Sequence, residues 1–173
     1  MKTIIGIDPG ASGGIACLNA NDFSMVWAHS MPMIGKKEPN LKDIYSLLSE
    51  NTCTHIYLEH AQASWNPSMK KGDDGKRGGM SSTASFSSGK NFGALLGIVA
   101  CLSIPHTIVK PRFWQKAAFV GTDAKMKPKQ RAAVAAMRLW PDESFLPTER
   151  SRKPHEGMID AALIAYGSVN YTG

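Results

Sequence analysis

Four acidic residues stand at positions where solubility alone does not explain a carboxylate. Asp8 ends one apolar stretch, and Glu59 directly follows another. Glu156 and Asp160 lie four residues apart in HEGMIDAALIA, a spacing that places both carboxylates on one face of a helix. Converging carboxylates suit the hard cations Mg²⁺ and Mn²⁺, and two such ions about 3.5–4 Å apart support phosphodiester hydrolysis. The four acids predict a divalent-metal site, provided that the last helix packs beside the ends of both strands.

Taken singly, three of these acids have simpler explanations. Asp8 precedes Pro-Gly and is suited to an Asx turn. Glu59 can pair with a nearby lysine, and Glu156 is favoured in the first turn of its helix by the helix dipole. Asp160 is harder to explain this way, because apolar residues surround it in the sequence. The prediction of a metal site therefore rests on the combination of the four.

Apolar periodicity and turn residues predict one α/β domain over residues 1–173. Three consecutive strands, followed by alternating helices and strands, indicate a mixed β-sheet flanked by α-helices. Strands are expected at 3–8, 14–19, 25–31, 55–58 and 104–109. Helices are expected from near Asn40 and at 90–102, 111–119, 128–139 and 155–169.

The stretch 61–90 lacks periodicity and is rich in Gly and Ser. Ordinary connections run about 4–6 residues, so a loop of this length is expected to be functional or disordered. It also carries five basic residues against two acids, and 110–131 carries seven basic residues against Asp123. The net charge of +6 is thus concentrated in two segments, which is typical of a nucleic-acid-binding protein, although a solvated helix face and loop would look the same.

Three cysteines, Cys17, Cys53 and Cys101, lie far apart without the spacing of a metal site. They predict reduced, buried thiols and hence a cytoplasmic protein. No apolar run is long enough to span a membrane, and the first residues are not typical of a signal peptide, so no membrane partner is expected.

The motifs GIDPGASGG, YLEH and KPHEGMIDAALIA together resemble those of RuvC-type Holliday junction resolvases, in the RNase H-like superfamily. VKPRFWQKAAF and KMKPKQRAAVAAMRLWP look like the basic segment and following helix of that family, and the final motif is most similar to its phage-like branch. The resemblance implies an RNase H-like fold with a five-stranded mixed sheet. It also implies a homodimer that cleaves branched DNA with Mg²⁺ or Mn²⁺, two ions per site, in the cytoplasm of a bacterium or a phage-infected host. No nucleotide cofactor is expected.

Carried over position by position, the resemblance assigns Asp8, Glu59 and Asp160 to the metal site. Cellular members place a fourth ligand three residues before the last acid, which here is Gly157 and cannot ligate. Glu156 fits the phage-like spacing instead, and the adjacent His155 is a further candidate ligand or proton-transfer group.

Lys110 resembles a lysine of the family that lies near the scissile phosphate, and it is expected to neutralise charge on the phosphoryl oxygens. A second active-site lysine has three candidates in KMKPK. Trp65 and Phe86 are available to stack on unpaired bases, although Phe86 is more expected to anchor the loop to the core. The remaining predicted DNA contacts are Lys70, Lys71, Lys76, Arg77, Lys90, Arg112, Lys116, Lys125, Lys127 and Lys129.

Gly93, Ala94 and Gly97 give the apolar helix a small-residue face on which a partner helix of a homodimer can approach, unless the helix is fully buried. Three alternatives to a resolvase remain. A sugar-kinase-like phosphotransferase usually needs a second domain, and a non-catalytic DNA-binding module predicts missing acids. An RNase H-like nuclease for flaps, forks or RNA–DNA hybrids has the same acids, so the sequence leaves it open.

Overall fold

The protein is described here as a computed structural model that covers residues 1–35, 38–50, 53–60 and 82–171, with side chains from Ser85 onward in the last range. A five-stranded sheet lies at its centre. In chain order its strands are β1 (Thr3–Asp8), β2 (Gly14–Asn19), β3 (Met25–Ser30), β6 (Cys53–Glu59) and β7 (His106–Val109). Two short strands, β4 (Met33–Ile34) and β5 (Glu38–Pro39), pair as a separate hairpin.

The order of strands in the sheet is β3-β2-β1-β6-β7. The first three strands form an antiparallel meander, while β6 and β7 run parallel to β1. Parallel strands end at the same edge of a sheet. The carboxyl ends of β1, β6 and β7 are therefore neighbours, which places the residues that follow them along one edge.

Helices cover both faces of the sheet. They are α1 (Leu41–Ser49), α2 (Ser82–Cys101), α3 (Pro111–Ala118), α4 (Pro128–Leu139) and α5 (Glu156–Ser168). Successive strand residues point to opposite faces, so Ile5 and Ile7 of β1 pack with α1 and α2, whereas Ile4 packs in the core formed with the other three helices. The five-stranded sheet thus separates two apolar cores.

Helix α5 lies very close to the sheet because glycines face it. A Cβ built on Gly6 of β1 would clash with the backbone of α5, 2.6 Å from the amide nitrogen of Ala165. A Cβ on Gly14 would lie 2.6 Å from the carbonyl oxygen of Gly157. These two glycines let the backbone of α5 pack directly against β1 and β2. This close packing determines how far the side chains of α5 lie from the sheet.

The predicted α/β fold, a mixed five-stranded sheet flanked by helices, is confirmed. The predicted loop over 61–90 is wrong in its last part, because α2 begins at Ser82 rather than at residue 90. Ser and Thr are poor helix formers on their own, but here they extend a helix whose apolar half is fixed by packing on the sheet. Residues 61–81 of that loop lie outside the described ranges. In the part of the chain that is described, no helix is long and apolar enough to span a bilayer.

Candidate active site

Asp8 and Glu59 end neighbouring parallel strands. Ile7 pairs with Leu58, and the next residue in each strand is the acid. Oδ1 of Asp8 accepts a hydrogen bond from the backbone N–H of Gly10 at 3.1 Å, so the Asx turn suggested by the sequence is present. The turn uses one carboxylate oxygen only, and it does not prevent Asp8 from taking part in an acidic site.

The amino-terminal end of α5 brings Glu156 and Asp160 to the edge of the sheet where Asp8 and Glu59 lie. We call these four residues the acidic edge. Gly157 lies against the turn between β1 and β2, where a Cβ would collide with the backbone of Ser12 and Gly13. A ligating side chain therefore has no room at position 157. The acids that α5 contributes are instead Glu156, which precedes Gly157, and Asp160, which follows it one helical turn after Glu156.

The charges of the four acids influence one another at this edge of the sheet. Burial raises the pKa of Asp160 to about 7, with further contributions from the charges of Asp8, Glu59 and Glu156. Burial likewise raises the pKa of Glu59 to about 7, and Asp8 adds to this increase. The pKa of Asp8 is also raised by burial, which the Gly10 N–H and the nearby His155 partly oppose. Without a cation, the cluster holds its negative charge at a considerable cost.

The donor set fits a divalent cation by its chemistry. Carboxylates that raise one another's pKa are stabilised by a shared cation, and Nδ1 of His155 is buried with no hydrogen-bond partner among the described residues. Within the described ranges, however, no three His, Cys, Asp or Glu side chains already converge on one point at metal-binding distance. Binding a cation therefore requires the acidic side chains to rotate toward each other.

Trp114 of α3 contacts the site directly, and sequence reasoning did not identify it. Its indole N–H donates a hydrogen bond of 2.9 Å to Oε1 of Glu59. The ring is buried and packs edge-on against Phe119. Gly167 of α5 allows this docking, since a Cβ there would lie 3.0 Å from the Cα and the carbonyl carbon of Trp114. A Trp on an amphipathic helix is normally a core residue. A buried indole N–H also needs a hydrogen-bond acceptor, and this requirement was the feature of the sequence that could have indicated a polar partner for Trp114.

One lysine of KMKPK reaches the acids. Nζ of Lys129 lies 2.5 Å from Oε2 of Glu156, and this hydrogen bond raises the pKa of Lys129, with further contributions from the charges of Glu156 and Asp160. The two paired side chains are 75% and 64% exposed, so the pair contributes little to stability. In the described structure, Lys125 and Lys127 are exposed and no ion pair joins them to an acid. Lys129 is thus the candidate for the second lysine of the site.

The other predicted contacts divide into three groups. Lys110 directly follows Val109, the partner of Glu59 in the sheet, and Pro111, Arg112 and Gln115 line an open cleft with it. Lys116 is exposed in the last turn of the same helix, α3. Lys90 does not join this group but pairs with Glu38 at 3.0 Å. Trp65, Lys70, Lys71, Lys76 and Arg77 lie outside the described residues.

The sequence led us to expect that Phe86 anchors the loop to the core, and this expectation is wrong. Phe86 is 73% exposed on the first half of α2. The helix continues through this segment, and the side chain projects from its outer side, so Phe86 remains available for stacking. On the same helix, a Cβ built on Gly93 or Gly97 would meet no atom of the described residues within 4 Å. No described part of the chain therefore covers the small-residue face predicted for dimer contact.

The order and directions of the five strands, with helices on both faces, are those of an RNase H-like fold. The structure resembles those of RuvC Holliday junction resolvases, so the predicted resemblance is confirmed in three dimensions. RuvC from Thermus thermophilus in complex with a Holliday junction substrate superposes with a TM-score of 0.61 at 14% identity, over 95% of this chain and 90% of that one. A further structure of Thermus thermophilus RuvC gives a TM-score of 0.56 at 16% identity, over 94% of this chain and 90% of that one. No family model matches the sequence, and no curated protein is significantly similar to it.

Proposed function

We propose that this chain is a metal-dependent, structure-specific endodeoxyribonuclease that resolves four-way DNA junctions by paired symmetric nicks, in DNA recombination, repair or phage DNA processing. The observation that carries the proposal is that Asp8 and Glu59 end neighbouring parallel strands, beside an Asp160 whose pKa is raised by burial and by the charges of Asp8, Glu59 and Glu156. The likeness to a RuvC structure that contains a Holliday junction adds the substrate class.

In this proposal, Asp8, Glu59, Glu156 and Asp160 hold two Mg²⁺ ions, with His155 as a further ligand or proton-transfer group, and Mn²⁺ is expected to substitute. The bound ions would supply an activated water for in-line attack on the phosphate and stabilise the leaving oxygen. The chain's own residues do the rest. Trp114 orients the carboxylate of Glu59, and Lys110 lies at the same sheet edge to neutralise charge on the phosphoryl oxygens.

Exposed lysines and an arginine around the acidic edge would hold the phosphates of DNA. Lys110 directly precedes α3, Arg112 and Lys116 lie on α3, Lys129 lies on α4, and all four residues are exposed. Because DNA binding by such residues releases counterions, the affinity should fall steeply with salt. The 61–81 segment adds four further cations in the sequence.

Two nicks on opposed strands require two sites, which a symmetric homodimer provides. The open face of α2 around Gly93 and Gly97 supports this part of the proposal, since two helices can approach closely only where side chains are small.

The substrate is tested by cleavage of four end-labelled DNAs with purified protein: a four-way junction, a flap, a linear duplex and an RNA–DNA hybrid. Each is incubated with Mg²⁺ and with EDTA. Symmetric, Mg²⁺-dependent nicks in the junction alone are the expected result. Preferential cleavage of the flap or the hybrid would keep the metal site and replace the resolvase by an RNase H-like nuclease of that other substrate class.

A further inference from the structure

A small groove lies beside the acidic edge, between α4 and the amino-terminal end of α5. It encloses about 270 Å³, and its apolar lining comes from Ala132 and Ala133 of α4, Pro154, and Ile159 of α5. Ala132 and Ile159 are buried, so the floor is built by the core rather than by flexible surface side chains. The proposed function uses none of these four residues.

The groove joins the acidic site directly, because Glu156 and Asp160 contribute to its lining. Lys129 and Lys153 supply its positive charges. An apolar floor with acids at one side and ammonium groups beside it suits a ligand with a flat apolar ring and a phosphate. Its volume is below the range of about 300–1,000 Å³ that is usual for drug-sized ligands, which favours a single base over a larger molecule.

We propose that this groove binds the nucleobase that flanks the scissile phosphate, with the face of the base against Ala133 and Ile159. The assignment rests on the proposed function, since a phosphate at the acids places an adjoining nucleoside at the mouth of the groove. A base must leave its stack to enter. At the branch point of a junction this costs less than within a continuous duplex, so the groove would help to select branched DNA.

The test combines one change in the protein with one in the DNA. Single-turnover cleavage is measured on a four-way junction with a mapped cut site, and on copies with an abasic analogue on either side of the scissile phosphate. Ala133→Leu fills the groove, and Val134→Leu, at an exposed position of the same helix, is the matched control. Metal affinity in the absence of DNA is measured for both variants.

We expect Ala133→Leu to slow cleavage of the intact junction about tenfold, a typical effect of one apolar contact in a pocket. The abasic analogue on one side should slow the wild type by a similar factor, and the two changes together should cost little more than either alone. Val134→Leu should behave as the wild type, and metal affinity should not change. If Ala133→Leu does not fold, Ala133→Met replaces it, because an unbranched side chain adapts better to the groove.

Cleavage by Ala133→Leu at the wild-type rate would overturn the groove assignment. So would rate losses from Ala133→Leu and the abasic analogue that multiply when the two are combined. In either case, junction cleavage by the wild type would still support the proposed function. Failure of the wild type to cut any junction, intact or abasic, would overturn the proposed function and the groove assignment with it.

Discussion

The indole N–H of Trp114 donates a 2.9 Å hydrogen bond to Oε1 of Glu59, which links α3 to the end of β6. The indole is only 3% exposed, so the bond lies in a region of low dielectric where it is hard to replace by water. The bond opposes the increase in pKa that burial imposes on Glu59. It therefore favours the ionised carboxylate and fixes its orientation, both of which metal binding requires.

Trp114→Phe keeps a buried ring but removes the donor. We expect Mn²⁺ affinity to fall about tenfold, as is usual when a group that orients a metal ligand is lost. The measurement is Mn²⁺ binding by electron paramagnetic resonance without DNA. Phe113→Leu, on the exposed side of the same helix, is the control and should bind as the wild type. Unchanged Mn²⁺ affinity in Trp114→Phe would show that the hydrogen bond has no role in the site.

Stability without metal should depend on pH in an unusual direction. In the folded protein the pKa values of Asp160 and Glu59 are about 7, whereas carboxyl groups of an unfolded chain have a pKa of about 4. Between these values the folded state binds more protons than the unfolded state, so these acids lower the free energy of unfolding as the pH rises from about 4 to 7.

Asp160→Asn removes one of the two groups. In EDTA, we expect the variant to gain stability relative to the wild type as the pH rises through this window, and the difference to level off above it. Urea unfolding at a series of pH values measures this difference. Asp22→Asn, at an exposed turn, should show no such trend across the same window. A difference between Asp160→Asn and the wild type that is independent of pH would contradict the raised pKa.

Gly157→Ala should damage both the fold and the site. A Cβ at this position collides with the backbone of Ser12 and Gly13, so α5 must move away from the β1–β2 turn. We expect a loss of about 1–3 kcal/mol in the free energy of unfolding, the usual cost of overpacking, together with slower cleavage. Gly89→Ala, where a Cβ meets no atom of the described residues within 4 Å, should not destabilise the protein. Equal stability of the two variants would contradict the close packing of α5.

The dimer is tested on the open face of α2. Gly97→Glu places a charge where a partner helix is expected, and sedimentation equilibrium should show a dimer for the wild type and a monomer for the variant. Gln130→Glu, an exposed change on α4, should remain dimeric. A wild type that is monomeric at all concentrations would remove the dimer from the proposal. A dimeric Gly97→Glu would place the subunit contact elsewhere than on this face of α2.

The sheet and its acidic edge were predictable because each depends on local pattern. Buried strands read as short apolar runs, and an acid directly after such a run, as at Asp8 and Glu59, is conspicuous. The i, i+4 spacing of Glu156 and Asp160 likewise needs only the helical repeat. Parallel pairing of β1 and β6 then brings Asp8 and Glu59 together, and the packing of α5 on β1 and β2 adds the other two acids.

The rest depended on contacts between distant segments. Trp114 and Glu59 are 55 residues apart, and their hydrogen bond follows from how α3 docks on α5. The exposure of Phe86 depends on α2 extending through a Ser-rich stretch whose own propensity does not favour a helix. Which lysine of KMKPK reaches Glu156 was equally beyond the sequence, because it depends on the packing of α4 beside α5.

The most direct test of the central claim is single-turnover cleavage of a four-way junction by Asp8→Asn in Mg²⁺. The asparagine keeps an oxygen that can accept from the Gly10 N–H, so the turn, the fold and junction binding should persist. Asp22→Asn, at an exposed turn away from the acidic edge, controls for the loss of one negative charge. The account predicts that Asp8→Asn binds the junction with near wild-type affinity and cuts neither strand, while Asp22→Asn cuts both symmetrically. Cleavage by Asp8→Asn at the wild-type rate would contradict the assignment of the metal site.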